Sequence, residues 1–365
     1  FYSEFSGFWQ PDEYLIANLG GGYDNEEGFL PFGSFISVGG QYLQLDLGYR
    51  EHWLSPLQDS AMLLSTQAKP VLGVTISNVK PITDWHINYE LSFGKLEEVE
   101  GIRYQVTPSE SSLSKGRPGF LTMHLSVQPT DWWTLGVNRT MQFGGGKRGK
   151  VGLSDVWAAI IDPVSSDNCG GQSNLQDCNL EFGNQQASIT SRLDLTWDEL
   201  PYSLIFELAG EDTNDYKNYL LGNKAYTVGV FIPYFSPTES VNLTWQYIED
   251  AWYTHHIYQQ GYSNDNHKMG HWWGDEKQAD DGIGAKIISL GYTNDLTSTS
   301  HLSVKYHTVV NSNSEGTSAY HYERGHYAQV DYHWLYSGQF LGLHLYTGKD
   351  VDGDSFFSLA FSKQW

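Results

Sequence analysis

Stretches of about ten residues in which apolar and polar side chains alternate recur along this chain, and a period of two leaves few folds open. In residues 41–50, Leu43, Leu45, Leu47 and Tyr49 share one face, while Gln44, Asp46 and Arg50 share the other. Leu121, Met123, Leu125 and Val127 oppose Thr122, His124, Ser126 and Gln128. Ala187, Ile189, Leu193, Leu195 and Trp197 oppose Ser188, Thr190, Arg192, Asp194 and Thr196, and Val241, Leu243, Trp245 and Tyr247 oppose Asn242, Thr244 and Gln246. Strands of a soluble sandwich average about five or six residues. These run to about nine or more, the length that crosses a bilayer at a tilt.

The connections carry the same message. Short, turn-rich links at 81–84, 128–131, 198–201, 236–239, 294–298 and 336–338 alternate with long ones at 51–70, 94–119, 143–185, 211–223, 249–282 and 311–320. Tight periplasmic turns on one rim and extended extracellular loops on the other make an outer-membrane β-barrel. The last strand, 355–365, places Phe357, Leu359, Phe361 and Trp365 on one face and ends on an aromatic. Counting back from it gives about fifteen strands down to residue 32. Closure wants an even number, so at least one more strand is expected in residues 1–23 or within a long loop. The expected fold is all-β: one transmembrane outer-membrane barrel over residues 1–365, with 16–18 antiparallel strands and loops plugging the mouth.

Composition excludes the competing classes. No run approaches the roughly 20 apolar residues of a membrane helix, and 40% hydrophobic residues is ample for a folded chain. A net charge of −22 argues against nucleic acid, whose phosphates need surplus Lys and Arg. The 13 Trp, 24 Tyr and 17 Phe fit aromatic girdles at two membrane interfaces. Cys169 and Cys178 enclose a Gly- and Asn-rich stretch and are expected to form a disulfide that pins a loop tip in an oxidising compartment. No signal peptide is visible at Phe1, as expected if it has been cleaved or if the numbering begins inside a longer precursor.

The segment GYREHWLSPLQDSAMLLSTQAKPVLGVTISNVKPI (48–82), the strand WHINYELSFGKLE from Trp85, FGGGKRGKVGLSDVWAAIIDP (143–163) and FGNQQASITSRLDLTW (182–197) together resemble the capsule assembly Wzi family of Gram-negative outer membranes. The resemblance implies an 18-stranded barrel, closed to free diffusion, that acts as a lectin for capsular polysaccharide and ties the capsule to the cell surface. The family's N-terminal periplasmic helical region has no counterpart in residues 1–23, which are short and Gly-rich.

Three groups of residues stand out as candidate sites. Asp46, Arg50, His52, Trp53 and Asp59 lie at a strand end and in the link after it. A Trp face flanked by carboxylate and guanidinium suits a sugar, and the same charges also suit bracing of an inward-folded loop. The link 51–70 holds LSPLQDSAMLLST, too apolar to wave in water, and is expected to plug the lumen. The link 249–282 holds Trp252, Tyr253, His255, His256, Tyr258, Tyr262, His267, His271, Trp272 and Trp273. Read as an exposed loop, it either contacts glycan or packs on itself. Its histidines lack a regular ligand pattern, so no metal and no cofactor are assigned. Lys147, Arg148 and Lys150, with Lys115 and Arg117, form the basic clusters, suited to lipopolysaccharide phosphates or an acidic capsule. Asp350, Asp352 and Asp354 read better as a hairpin turn than as a calcium loop.

No G-x-S-x-G, Walker loop, H-E-x-x-H or dinucleotide fingerprint occurs, so no enzyme is expected. The expected function is a monomeric outer-membrane lectin bound to surface polysaccharide and surrounded by lipid and lipopolysaccharide. The rival from a transport class is a substrate-selective porin with Asp46, Arg50, His124, Arg192 and Asp194 facing the lumen.

Overall fold

The structure, a computed structural model, describes residues 2–24, 28–31, 33–162, 177–214, 217–312 and 319–364. One antiparallel sheet dominates it. Its segments are Tyr2–Trp9, Leu15–Asp24, Gly28–Leu30, Phe35–Gly40, Leu43–Tyr49, Leu72–Ser77, Asn88–Lys95, Gly119–Thr130, Trp133–Phe143 and Gly183–Trp197. Leu200–Glu211, Lys224–Ser236, Glu239–Ile248, Ala285–Thr297, Ser300–Asn311, Gly325–Tyr336, Gln339–Lys349 and Ser355–Gln364 complete it. Gly28–Leu30 and Phe35–Gly40 lie end to end along Leu15–Asp24, so the 18 segments fill 17 positions (18 − 1) among the described residues. At least one more strand is expected in residues 1–23 or within a long loop, and residues 1–23 supply Tyr2–Trp9 and most of Leu15–Asp24.

Alternation sets which way each strand faces. Leu43, Leu45, Leu47, Ile189, Leu243, Leu290 and Leu359 are exposed, whereas Asp46, Thr122, Asn138, Ser188, Glu207, Thr244 and Gln246 are buried. A water-soluble protein would have these the other way round. With apolar residues outside and polar residues inside, the wall is built for lipid. Trp9, Trp85, Trp132, Trp197, Tyr234 and Tyr336 are exposed beside the short turns, as an interfacial girdle requires. The two-residue turns at Asp198-Glu199 and Ser337-Gly338 have positive φ at both positions, the geometry that matches the twist of paired strands. At the other rim, Asp350 Oδ1 accepts from the backbone N–H groups of Asp352 (3.1 Å) and Asp354 (2.8 Å), so the Asp triplet shapes a hairpin turn.

The sheet curls around two long links. Residues 51–70 and 249–284 enter the lumen and build one apolar cluster with Leu54, Met62, Leu63, Leu64, Trp252, Tyr253, Tyr262, Met269 and Trp273 at its centre. Their polar atoms pair across the sequence. Tyr253 donates its hydroxyl to the Met62 carbonyl (2.6 Å), and Tyr262 donates to that of Leu63 (2.8 Å). The plug also reaches the wall on several sides. Trp273 Nε1 donates to Asn311 Oδ1 (2.7 Å), His271 Nε2 pairs with Gln246 Oε1 (2.8 Å), and Asn138 Nδ2 donates to the Leu54 carbonyl (3.5 Å). Gly261 is required where it stands. Its φ is 64°, and a Cβ there would meet the Tyr253 carbonyl oxygen at 1.8 Å.

Trp273→Ala would remove a fully buried ring and its bond to Asn311, at a cost of about 3–5 kcal/mol to plug packing. Limited proteolysis of the reconstituted protein should therefore show new cleavage within 249–282. Heat-modifiable gel migration, which reports the wall, should not change.

Candidate functional site

The plug corrects the expectation of exposed rings on the link 249–282. Trp252, Tyr253 and Trp273 have no exposed surface, and Trp272 is half-buried against His307 and Tyr327. Such rings bury more apolar area when packed with the link 51–70 than they would covering a mouth, so they are spent on the interior. Lys277 sits among them. It lies 4.9 Å from the Trp273 ring centre and donates to the carbonyls of Trp252 (2.9 Å), Asp281 (2.6 Å) and Ile283 (3.3 Å). Burial pushes its pKa down to about 8.

On the short-turn side of the plug, Arg50 bonds Asp46 and reaches Glu90 at 3.1 Å, and His52 Nδ1 meets the same Glu90 at 2.7 Å. Asp59 is partly buried, accepts from Thr244 Oγ1 (3.3 Å), and has its pKa raised by loss of solvent. These charges brace the inward-folded link against the wall. Trp53 differs, being 37% exposed with its indole N–H given to the Leu57 carbonyl (2.8 Å). Its ring borders a cavity of about 200 Å³ shared with His124, Asn138, Thr190 and Arg192.

On the long-loop side, the hairpin Val99–Thr107 with Glu110–Gly116 folds over the plug, and Arg103 N–H donates to the Ile257 carbonyl (2.8 Å). Between them opens a cavity of about 700 Å³, lined by Arg103, Asp212, His255, His256, Gln259 and Asp280 among others. A second hollow of about 280 Å³ adjoins it through Arg103 and His256. The lining is polar, with guanidinium, carboxylate, imidazole and amide groups that bond hydroxyls in pairs. Asp212 stands at the wall of the larger cavity, its pKa raised first by burial and then by the charges of Glu211 and Glu181.

The basic clusters are largely committed elsewhere. Arg148 is buried and donates to the carbonyls of Arg103 (3.0 Å), Cys178 (2.8 Å) and Glu181 (2.8 Å), so it ties the two ends of its own link to the link 94–119 and does not face outward. Lys115 pairs with Glu98 (3.0 Å) and Arg117 with Glu97 (3.5 Å). Lys147 is exposed, 5.3 Å from the Tyr104 ring centre, and Lys150 is exposed too. Cys178 is disulfide-bonded, while Cys169 lies outside the described residues.

Among the described residues, Glu181, His255 and His256 bring three potential metal ligands within 4.8 Å of one another. The two imidazoles are stacked at 4.6 Å with planes 27° apart. The Ile257 N–H already occupies His255 Nδ1 (3.2 Å), and His256 Nε2 pairs with Glu181 Oε1 (2.8 Å).

Sequence reading missed Arg103, Asp212, Gln259 and Asp280, because polar residues in long links look alike until the fold gathers them. The signal available was the link 94–119, long enough to hold a hairpin over the mouth.

Fold and site together define a plugged membrane β-barrel with a polar cavity on its long-loop rim. The chain belongs to the capsule assembly protein Wzi family, whose sequence profile matches residues 13–351. Among solved structures it is similar to Wzi of Escherichia coli, an outer-membrane protein involved in group 1 capsule assembly and a carbohydrate-binding β-barrel. That match has 15% identity and a TM-score of 0.71, over 99% of this chain and 77% of that one. OccK5 (OpdH) of Pseudomonas aeruginosa matches over 100% of this chain and 93% of that one, at 12% identity and a TM-score of 0.53. OccAB4 of Acinetobacter baumannii matches over 100% and 91%, at 11% and 0.53. No curated protein matches in sequence.

The buried imidazoles make the plug sensitive to pH. Burial lowers the pKa of both His255 and His271 from 6.5 to about 3. Both rings are therefore neutral in the packed plug, and their contribution is fully present above pH 6.5. As pH falls below that, the unpacked state takes up protons that the packed state refuses, and stability is lost progressively towards pH 3. Hydroxyl-radical footprinting should show oxidation of Trp252, Tyr253 and Trp273 rising on acidification from neutrality through this window. His271→Gln should flatten part of that rise.

Proposed function

We propose that this protein is an outer-membrane lectin that binds capsular polysaccharide on its long-loop rim and so attaches the capsule to the cell surface. The carrying observation is the polar cavity of about 700 Å³ on that rim, in a member of the capsule assembly Wzi family. The carbohydrate-binding relative of the same fold supports the substrate class. Exposed Arg103, His256, Gln259, Gln278 and Asp280 contact the glycan at the cavity, with exposed Lys147 nearby for acidic sugars. The role is binding without catalysis. Lipid and lipopolysaccharide surround the wall of a monomer.

Each hydroxyl bond contributes on the order of 1 kcal/mol, so a single site is weak and gains strength from repetition along the polymer. The buried plug opposes the porin reading, because Trp252, Tyr253 and Trp273 occupy the path that a solute would take.

The variant His256→Ala/Gln259→Ala/Gln278→Ala/Asp280→Asn changes four exposed side chains and should leave heat-modifiable migration intact. Surface plasmon resonance with purified capsular polysaccharide should show binding weakened by about tenfold or more, the equivalent of 1.4 kcal/mol. Cells producing the variant should shed capsule. Undiminished binding would remove the cavity as the site.

A further inference from the structure

The helix Leu153–Ile161, within the link that joins Trp133–Phe143 to Gly183–Trp197, takes no part in the plug or the rim cavity. Its position follows from strand parity. Phe120 packs on Tyr262 in the plug, and His124 Nδ1 pairs with Asn138 Oδ1 (2.6 Å), so these residues face the lumen. Their neighbours Leu121, Met141 and Phe143 therefore face outward. Ala159 of the helix is buried against exactly that outward cluster and Phe182, with Val151, Val156 and Ile160 packed around it. The helix lies on the outside of the barrel wall.

Arg139 faces outward on the same strand, where a bare guanidinium is poorly tolerated by lipid. It donates to the carbonyls of Ile160 (2.8 Å) and Ala159 (2.7 Å) and to Gln185 Oε1 (2.5 Å). The last turn of a helix has carbonyls without helical partners and the negative end of the dipole, so the helix end neutralises the arginine. Arg139 pairs across with Met123 and Ala187. Two residues further along the same strands, Leu125, Val137 and Ile189 are exposed members of the apolar wall. The helix end thus meets the wall at the edge of its lipid-facing band.

Among the described residues, the other side of the helix is apolar and uncovered. Leu153, Trp157 and Ile161, at i, i+4 and i+8, are 90%, 65% and 61% exposed, and no charged residue occurs from Val156 to Ile161. This stripe continues the apolar surface of the wall.

We infer that Leu153–Ile161 is an interfacial helix immersed in the leaflet on the long-loop side, with Leu153, Trp157 and Ile161 against lipid acyl chains. It replaces the wall surface that Arg139 interrupts and anchors the link to the membrane. Tryptophan is well suited to that depth. This inference concerns the lipid surface and stands independently of the glycan site.

The test places a fluorophore at Trp157→Cys or Ile161→Cys in protein reconstituted into phosphatidylcholine vesicles, with Leu359→Cys on the lipid-facing wall and Asp352→Cys on the rim as references. Labels at 157 and 161 should be quenched by nitroxide-labelled lipid as strongly as at Leu359 and be several-fold less sensitive to iodide than at Asp352. Iodide quenching equal to that at Asp352 would overturn the inference. Shielding from both quenchers would overturn it too, since it would mark a protein partner or a second copy on the stripe. Trp157→Asp provides a second reading without a label. Hydrogen exchange across 153–161 should speed up several-fold in vesicles, and unchanged exchange would count against immersion.

Discussion

Backbone amide and carbonyl groups in a bilayer must bond to one another, and the side chains beside them must be apolar on the lipid side. Every strand of the sheet obeys this through a single parity. Leu43, Leu45 and Leu47 stand outside while Gln44 and Asp46 turn inward, and the continuous register from Gln186↔Glu211 to Trp197↔Leu200 keeps that parity along a full crossing. A slip of one residue would exchange the two faces and put charge into lipid.

That parity fills the lumen with polar groups, and the plug answers them. Gln246, Asn311, Glu211 and Asn138 each find a partner on an inserted link: His271, Trp273, the Tyr253 N–H (2.7 Å) and Leu54 respectively. Between those polar contacts lies an apolar interior with its own tight packing. The protein therefore has two cores of opposite kind, one apolar and inside the polar lumen, the other the lipid outside. Buried Lys277 is held in the first by carbonyls, and His271 by the Gln246 amide.

The plug fills the lumen and leaves a polar cavity at the rim. Links that are far apart in the chain meet there, because Arg148 gathers the carbonyls of residues 103, 178 and 181, and the hairpin over the mouth bonds the link 249–282. The polar cavity between them follows from how these links are tied.

Alternation, link lengths and the aromatic count by themselves determined the barrel, its two rims, the plug from 51–70 and the inward placement of Asp46, Arg50, His124, Arg192 and Asp194. Each of these depends on residues a fixed, short distance apart, and a period of two survives in any linear reading. What only the tertiary structure decided is the fate of the links. The same rings at 252, 253 and 273 read as glycan contacts or as packing, and Arg148 as a surface charge or as a tie, until partners 38 to 191 residues away are in place. Met62 beneath Tyr253, Asn311 at Trp273 and Arg103 at Arg148 are such partners. The strand faces follow from local geometry imposed by lipid, whereas the packing of the second link into the plug, the rim cavity and the helix over Arg139 follow from long-range contacts that no spacing in the chain encodes.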